Sequence, residues 1–244
     1  MDKPIPCAQC ALRPLAGFKP PREGELPFIA RRKVGQLRLS AGEAVIREGE
    51  APERIFTLYA GWAFRYKSLP DGRRQILNIL LPGDIVGLQA ELLDTMPHGV
   101  ETLTDASLCV FARDTVWSVF RAHPALALDL TWLAAHEERL VDDAILSIGR
   151  RTAIERVAAL LVHLFKRAAA SGLLEGGTVP FPLTQAHIAD TLGLSVVHTN
   201  RTLQRLRRAG LADTTGGRLL LGDLRALRRV AQYWEQPAPP RPLF

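Results

Sequence analysis

The sequence predicts an α+β chain with an amino-terminal antiparallel β-roll, a long central helix and a carboxy-terminal winged helix-turn-helix. Three observations carry this. Glycine-centred turns recur between short apolar runs over residues 25–112. After Pro124, apolar residues repeat at alternating steps of four and three. Over residues 183–211, two short amphipathic segments meet at Gly193. The 244 residues are 47% hydrophobic, enough for one large domain or two moderate ones, each with a buried core.

Residues 1–24 lack periodicity and read as an irregular, cysteine-containing arm. The roll is expected over 25–122. Its turns fall at Gly42, Gly49, Gly61, Gly72 and Gly83, and Asp71-Gly72 between two apolar runs reads as a hairpin. A helix over 123–150 follows, with Leu126, Leu130, Leu133, Glu137, Leu140, Ala144 and Ser147 on one stripe and Ile148 adjoining. That stripe reads either as the seam of a parallel homodimer or as a face lying on the chain's own roll. A winged module is expected over 151–234, and 235–244 is a tail.

Charge divides the chain in the same place. Residues 1–149 hold 17 basic and 19 acidic side chains, whereas 150–234 hold 13 basic and 5 acidic. The back half is therefore the part suited to a polyanion.

The helix-turn-helix is built from recognisable parts. Thr184 is placed to cap the first helix, with Gln185 opening it. Ile188, Ala189 and Leu192 form its buried face. Gly193 suits the tight turn, and Ser195 caps a second helix running to about Arg208. Thr199, Leu203 and Leu206 point inward. Val197, Asn200, Arg201, Gln204, Arg205 and Arg208 point outward, with Val196 and His198 beside them at the helix start. These outward residues, with Thr184, Gln185 and Ser195, are the candidate contacts to double-stranded DNA. Residues 211–221 read as the wing, and a final helix over 223–234 places Leu224, Leu227, Val230, Ala231 and Trp234 inward.

This order of parts resembles the CRP/FNR superfamily of bacterial transcription regulators. Pro82-Gly83-Asp84, the glycine cadence and residues 183–211 carry the resemblance, which covers nearly the whole chain. It implies a cyclic-nucleotide-binding-like jelly roll, a dimerisation helix and a palindromic operator, with RNA polymerase as a partner if the protein activates. The family's recognition helix usually opens Ser/Thr-x-Glu-Thr-Val-x-Arg; here it reads Ser195-Val196-Val197-His198-Thr199-Asn200-Arg201. Arg201 matches the arginine that reads guanine. Val197 replaces the glutamate, so the half-site is expected to differ at the position that glutamate reads. Arg205, Arg207 and Arg208 are expected on phosphates.

Family members that bind cyclic nucleotides hold the phosphate with an arginine after the glycine–acid turn. No Lys or Arg occurs between Arg74 and Arg113, so cyclic AMP is not expected as the effector. Cys7, Cys10 and Cys109 fall where the fumarate–nitrate regulator branch carries cluster ligands, while Ala16 takes the place of the remaining cysteine. The resemblance thus implies a [4Fe–4S] site with Cys7, Cys10 and Cys109 as ligands, and Glu23, Glu25 and His98 are candidates for the fourth place. Cluster assembly would then favour the dimer. Read without the resemblance, Cys-x-x-Cys also suits zinc or thiol redox chemistry, and Cys109 suits a small buried apolar side chain.

Other classes fit less well. A cupin-like enzyme needs several inward histidines, and His98 is alone between Leu26 and Phe120. No Ser/His/Asp set, P-loop or dinucleotide fingerprint occurs, so no catalytic residue and no enzyme is expected. A roll that answers an unknown ligand without a cluster, or an adaptor that never meets DNA, remain the alternatives. With no apolar run long enough to span a membrane and no apolar leader, a cytoplasmic location is expected.

Overall fold

The structure is a computed structural model that describes residues 4–89, 93–233 and 239–244. The chain forms two compact units. One comprises Met1–Lys67, Ile79–Arg139 and Pro239–Phe244, the other Ser68–Asn78 and Leu140–Ala238.

In the first unit a 3-10 turn over Cys7–Gln9 precedes helix α1 (Glu25–Arg32). Residues 25–32 were expected among strands, and their helicity has a local cause. The Glu25 carboxylate reaches back to accept from the Arg22 main-chain N–H at 2.7 Å, and Arg31 and Arg32 sit in the last turn, where the helix dipole favours cations. Eight strands follow: β1 (Lys33–Leu39), β2 (Ala44–Ile46), β3 (Arg54–Ala60), β4 (Ala63–Ser68), β5 (Arg74–Leu80), β6 (Ile85–Val86), β7 (Gly99–Thr102) and β8 (Ala106–Ala112). They form two four-stranded sheets, ordered β1-β8-β3-β6 and β2-β7-β4-β5.

Period-two alternation assigns the faces of the first sheet. Phe56, Leu58, Leu108 and Val110 join Val86, Met96 and Val100 in the core between the sheets. The intervening Ile55 and Phe111 face the other way, toward Phe28 and Ile29 of α1, helix α2 (Thr115–Ala122) and the start of helix α3 (Pro124–Arg150). Thr57 and Cys109 share that outer face.

Pro124 stands at the first position of α3, where its missing N–H costs nothing. Leu126, Leu130 and Leu133 of the predicted stripe are buried against Phe111 and Val119, so this part of the helix lies on its own unit. Glu137, the odd member of an apolar stripe, answers a buried cation. Arg65 on β4 pairs with it at 2.9 Å, with side chains 7% and 13% exposed. The large apolar α3 side chains left exposed are Leu128, Ile145 and Leu146.

The second unit contains α4 (Ala153–Ala170), β9 (Thr178–Pro180), α5 (Gln185–Leu192), α6 (Val196–Arg208), β10 (Ala212–Asp213), β11 (Arg218–Leu221) and α7 (Leu224–Val230). Thr152 and Glu155 close a capping box on α4. Its buried Val157, Ala158 and Leu161 lie on a helix that packs against α6 and α7. The wing has three strands among the described residues, ordered β10-β11-β9, and its third strand lies outside residues 211–221 read as the wing in the sequence. Leu227 and Ala231 are buried as expected, while Trp234 lies outside the described residues. The hairpin tip Ser68–Asn78 belongs to this unit, where Arg74 Nε donates to Asp190 at 2.8 Å and Gln75 Nε2 to the Thr191 carbonyl at 3.0 Å.

Candidate nucleic-acid interface and thiol pocket

The helix pair α5–α6 is fixed by its ends. Thr184 accepts from the His187 main-chain N–H at 3.2 Å, and His187 Nδ1 returns the bond to the Thr184 N–H at 3.2 Å. The Thr184 cap was legible; a histidine completing the box was not. Burial and the nearby Arg74 charge depress the His187 pKa, which keeps that ring nitrogen available as an acceptor. At the other end Gly193 adopts φ 62° and ψ 40°, the left-handed region open cheaply to glycine. Arg156 of α4 donates to the Leu192 carbonyl at 3.0 Å, satisfying a main-chain acceptor left over at the end of α5. Ser195 then caps α6 by accepting from the His198 N–H at 3.2 Å.

These restraints aim one face of α6 outward. Val196, Val197, His198, Arg201, Gln204, Arg205 and Arg208 are exposed, and Asn200 is half-buried, accepting from Gln204 Nε2 at 3.1 Å. Thr184 and Gln185 are exposed at the start of α5, and Ser195 at the turn. Thr199, Thr202 and Leu206 are buried on the opposite face. Arg207 is the exception among the arginines: its Nε lies 3.3 Å from Asp213 on β10, so it braces the wing. An exposed, arginine-rich helix with no acidic residue, held at both ends and flanked by a wing, is suited to the DNA major groove.

The first unit holds a second feature. Cys7 and Cys10 of the arm and Cys109 of β8 line one small, mainly apolar cavity, which Leu243 and Phe244 help to enclose. Its volume is about 20 Å³, room for a single water. Lys33 stands at its edge, with Nζ donating to the Ile5 carbonyl at 2.8 Å and to Gln36 Oε1 at 2.9 Å. Desolvation raises the Cys7 and Cys109 pKa values, against the opposing pull of Lys33, so both favour the thiol form.

The three cysteines named from the sequence line one cavity, but the donor set does not match a four-thiolate cluster. Ala16 offers no ligand. Glu25 is engaged by Arg22, and neither Glu23 nor His98 lines the cavity. His98 is buried beside Arg65 and Lys67 of β4. Among the described residues, no group of three or more His, Cys, Asp or Glu side chains is arranged to hold a metal ion.

The fold and the α6 face define a class: a winged helix-turn-helix regulator carried on a nucleotide-binding-type roll. Comparison with known proteins narrows it. The cyclic nucleotide-binding domain family matches residues 36–123, and the Crp-like helix-turn-helix domain matches 155–230. The chain is 33% identical over 225 residues to the nitrogen fixation regulation protein FixK of Bradyrhizobium diazoefficiens, covering 90% of this chain and 91% of that one. It is 34% identical over 206 residues to the transcriptional activatory protein AadR of Rhodopseudomonas palustris, covering 83% of each. The structure of FixK2 from Bradyrhizobium japonicum superposes with a TM-score of 0.73 at 28% identity, over 83% of this chain and 98% of that one. The chain belongs to the CRP/FNR superfamily. It is a transcriptional regulator of that type and not an enzyme. No helix among the described residues is long and apolar enough to cross a membrane.

Proposed function

We propose that the protein binds a two-fold symmetric operator as a homodimer, placing one α6 in each of two successive major grooves. The observation that carries this reading is the outward face of α6, where Arg201 stands exposed on a helix set in place by the Gly193 turn and the Ser195 cap. Arg201 reads guanine O6 and N7. Arg205 and Arg208, with the amino-terminal end of α5 at Thr184 and Gln185, meet phosphates. Val197, 61% exposed, offers only apolar contact, so the half-site differs from the family core where a glutamate would accept from cytosine. Selection from random DNA tests this. The expected product is a palindrome altered at that one step; an unaltered family half-site would remove the Val197 assignment.

The second copy docks along α3. Ile145 and Leu146 are exposed apolar side chains on α3, which supports dimerisation through this part of the helix, whereas Leu126, Leu130 and Leu133 of the stripe read from the sequence are already covered. Sedimentation of the full chain is expected to give a dimer, weakened by Ile145→Glu. RNA polymerase is a partner if the regulator activates.

Oxygen control through a [4Fe–4S] cluster is the finer reading of Cys7, Cys10 and Cys109, and the donor set argues against its four-thiolate form. Cyclic AMP is not the effector in this reading: the stretch after Asp84 carries no cation before Arg113, and the buried Arg65 is already matched by Glu137.

A further inference from the structure

The tail read from the sequence as an appendage has a built docking site in the first unit. Arg241 N–H donates to the Gly17 carbonyl at 2.9 Å, and Lys19 N–H donates to the Arg241 carbonyl at 2.7 Å, a parallel bridge that ties tail to arm. The Arg241 guanidinium pairs with the buried carboxylate of Asp84 and lies 5.3 Å over the Phe18 ring. The Pro82-Gly83-Asp84 turn is shaped for this. Gly83 has φ +95°, and a Cβ there would run into Phe18 and Arg241. Further along, Leu243 is buried with Leu12 and Phe18. The Phe244 ring stands 5.1 Å from that of Phe111, and Thr57 Oγ1 donates to the Phe244 main-chain oxygen at 2.8 Å. Prolines at 239, 240 and 242 restrict the segment before it docks, which lowers the entropy lost on binding.

We propose that residues 241–244 form a strap whose docking between the arm and the β1-β8-β3-β6 sheet controls access to Cys109 and its two companion thiols. Leu243 and Phe244 are walls of the cavity the thiols line, and with them in place Cys109 is only partly exposed. Release of the strap would remove an apolar wall and an ion pair at once, opening the thiols without unfolding either sheet. The site is thus a peptide groove with its own occupant, selective for an arginine that reaches Asp84 and a phenylalanine two residues past the intervening proline.

The test compares alkylation of Cys109 by N-ethylmaleimide, mapped by mass spectrometry, in the full reduced chain and in a chain ending at residue 238. Deletion is expected to speed modification of Cys109 roughly tenfold or more, and the synthetic peptide Pro-Pro-Arg-Pro-Leu-Phe added in trans should slow it again. An unchanged rate, or a rate the peptide does not lower, overturns the proposal. Should the shortened chain fail to show a cooperative thermal transition, the full-length variants R241A and F244A take its place under the same readout. Faster Cys109 modification in both, with DNA binding retained, supports the strap; wild-type rates in both overturn it.

Discussion

His98 sets a pH dependence that can be worked from its surroundings. It is 5% exposed, and its pKa is lowered from 6.5 to about 4, first by loss of hydration and then by the charges of Arg65 and Lys67. In the unfolded chain the ring protonates near its ordinary value; in the folded roll it stays neutral until pH falls much further. Between these two values the unfolded state binds the extra proton, so stability is lost as pH drops from about 6.5 toward about 4. At roughly pH 5 most of that loss has accrued, on the order of 2 kcal/mol relative to about pH 7.5. Urea unfolding of the wild type and of H98Q at the two pH values, followed by the fluorescence of buried Trp62, isolates the contribution of this one ring. H98Q is expected to lose about 2 kcal/mol less than the wild type across the same interval. Equal losses in the two proteins would refute the burial argument for His98.

Other consequences can be checked in the same way. Gly193→Ala meets no obstacle closer than Ile148 Cγ2 at 3.7 Å, so its cost is backbone strain of about 1–2 kcal/mol, read as a lower melting temperature. Thr199 is fully buried and its hydroxyl has no hydrogen-bond partner among the described residues, so Thr199→Val is expected to raise stability by about 1 kcal/mol in chemical denaturation. Glu137→Ala leaves Arg65 buried and unpaired, at about 3–5 kcal/mol, and the double variant R65M/E137L should recover most of that loss.

The parts legible in the sequence are those whose signals are local. The helix-turn-helix was readable because Thr184, Gly193 and Ser195 punctuate it within a dozen residues, and each does in the structure what its residue type suggests. The roll was readable because hairpins need turn residues at short intervals, as at Asp71, whose carboxylate accepts from the Arg73 N–H at 3.0 Å. What escaped depends on distant partners. Leu126, Leu130 and Leu133 have the spacing of a dimer seam, and spacing alone does not say which surface will cover them; Phe111 and Val119 do. The tail, with three prolines in six residues, has no periodicity to read, and its place is fixed by Gly17 and Asp84, more than 150 residues away in sequence. α1 is the exception: its cause, the Glu25–Arg22 interaction, is local, but it lies inside a stretch whose glycine cadence reads as strand.

Entry of α6 into duplex DNA is tested most directly by a salt series with wild type and R201A. With Arg205 and Arg208 on phosphates in each of two protomers, log affinity should fall against log salt with a slope of about −4 or steeper. Arg201→Ala should cost about 1–3 kcal/mol of preference for the selected operator while leaving that slope nearly unchanged. Binding that ignores salt, or an R201A variant that keeps full sequence preference, would contradict it.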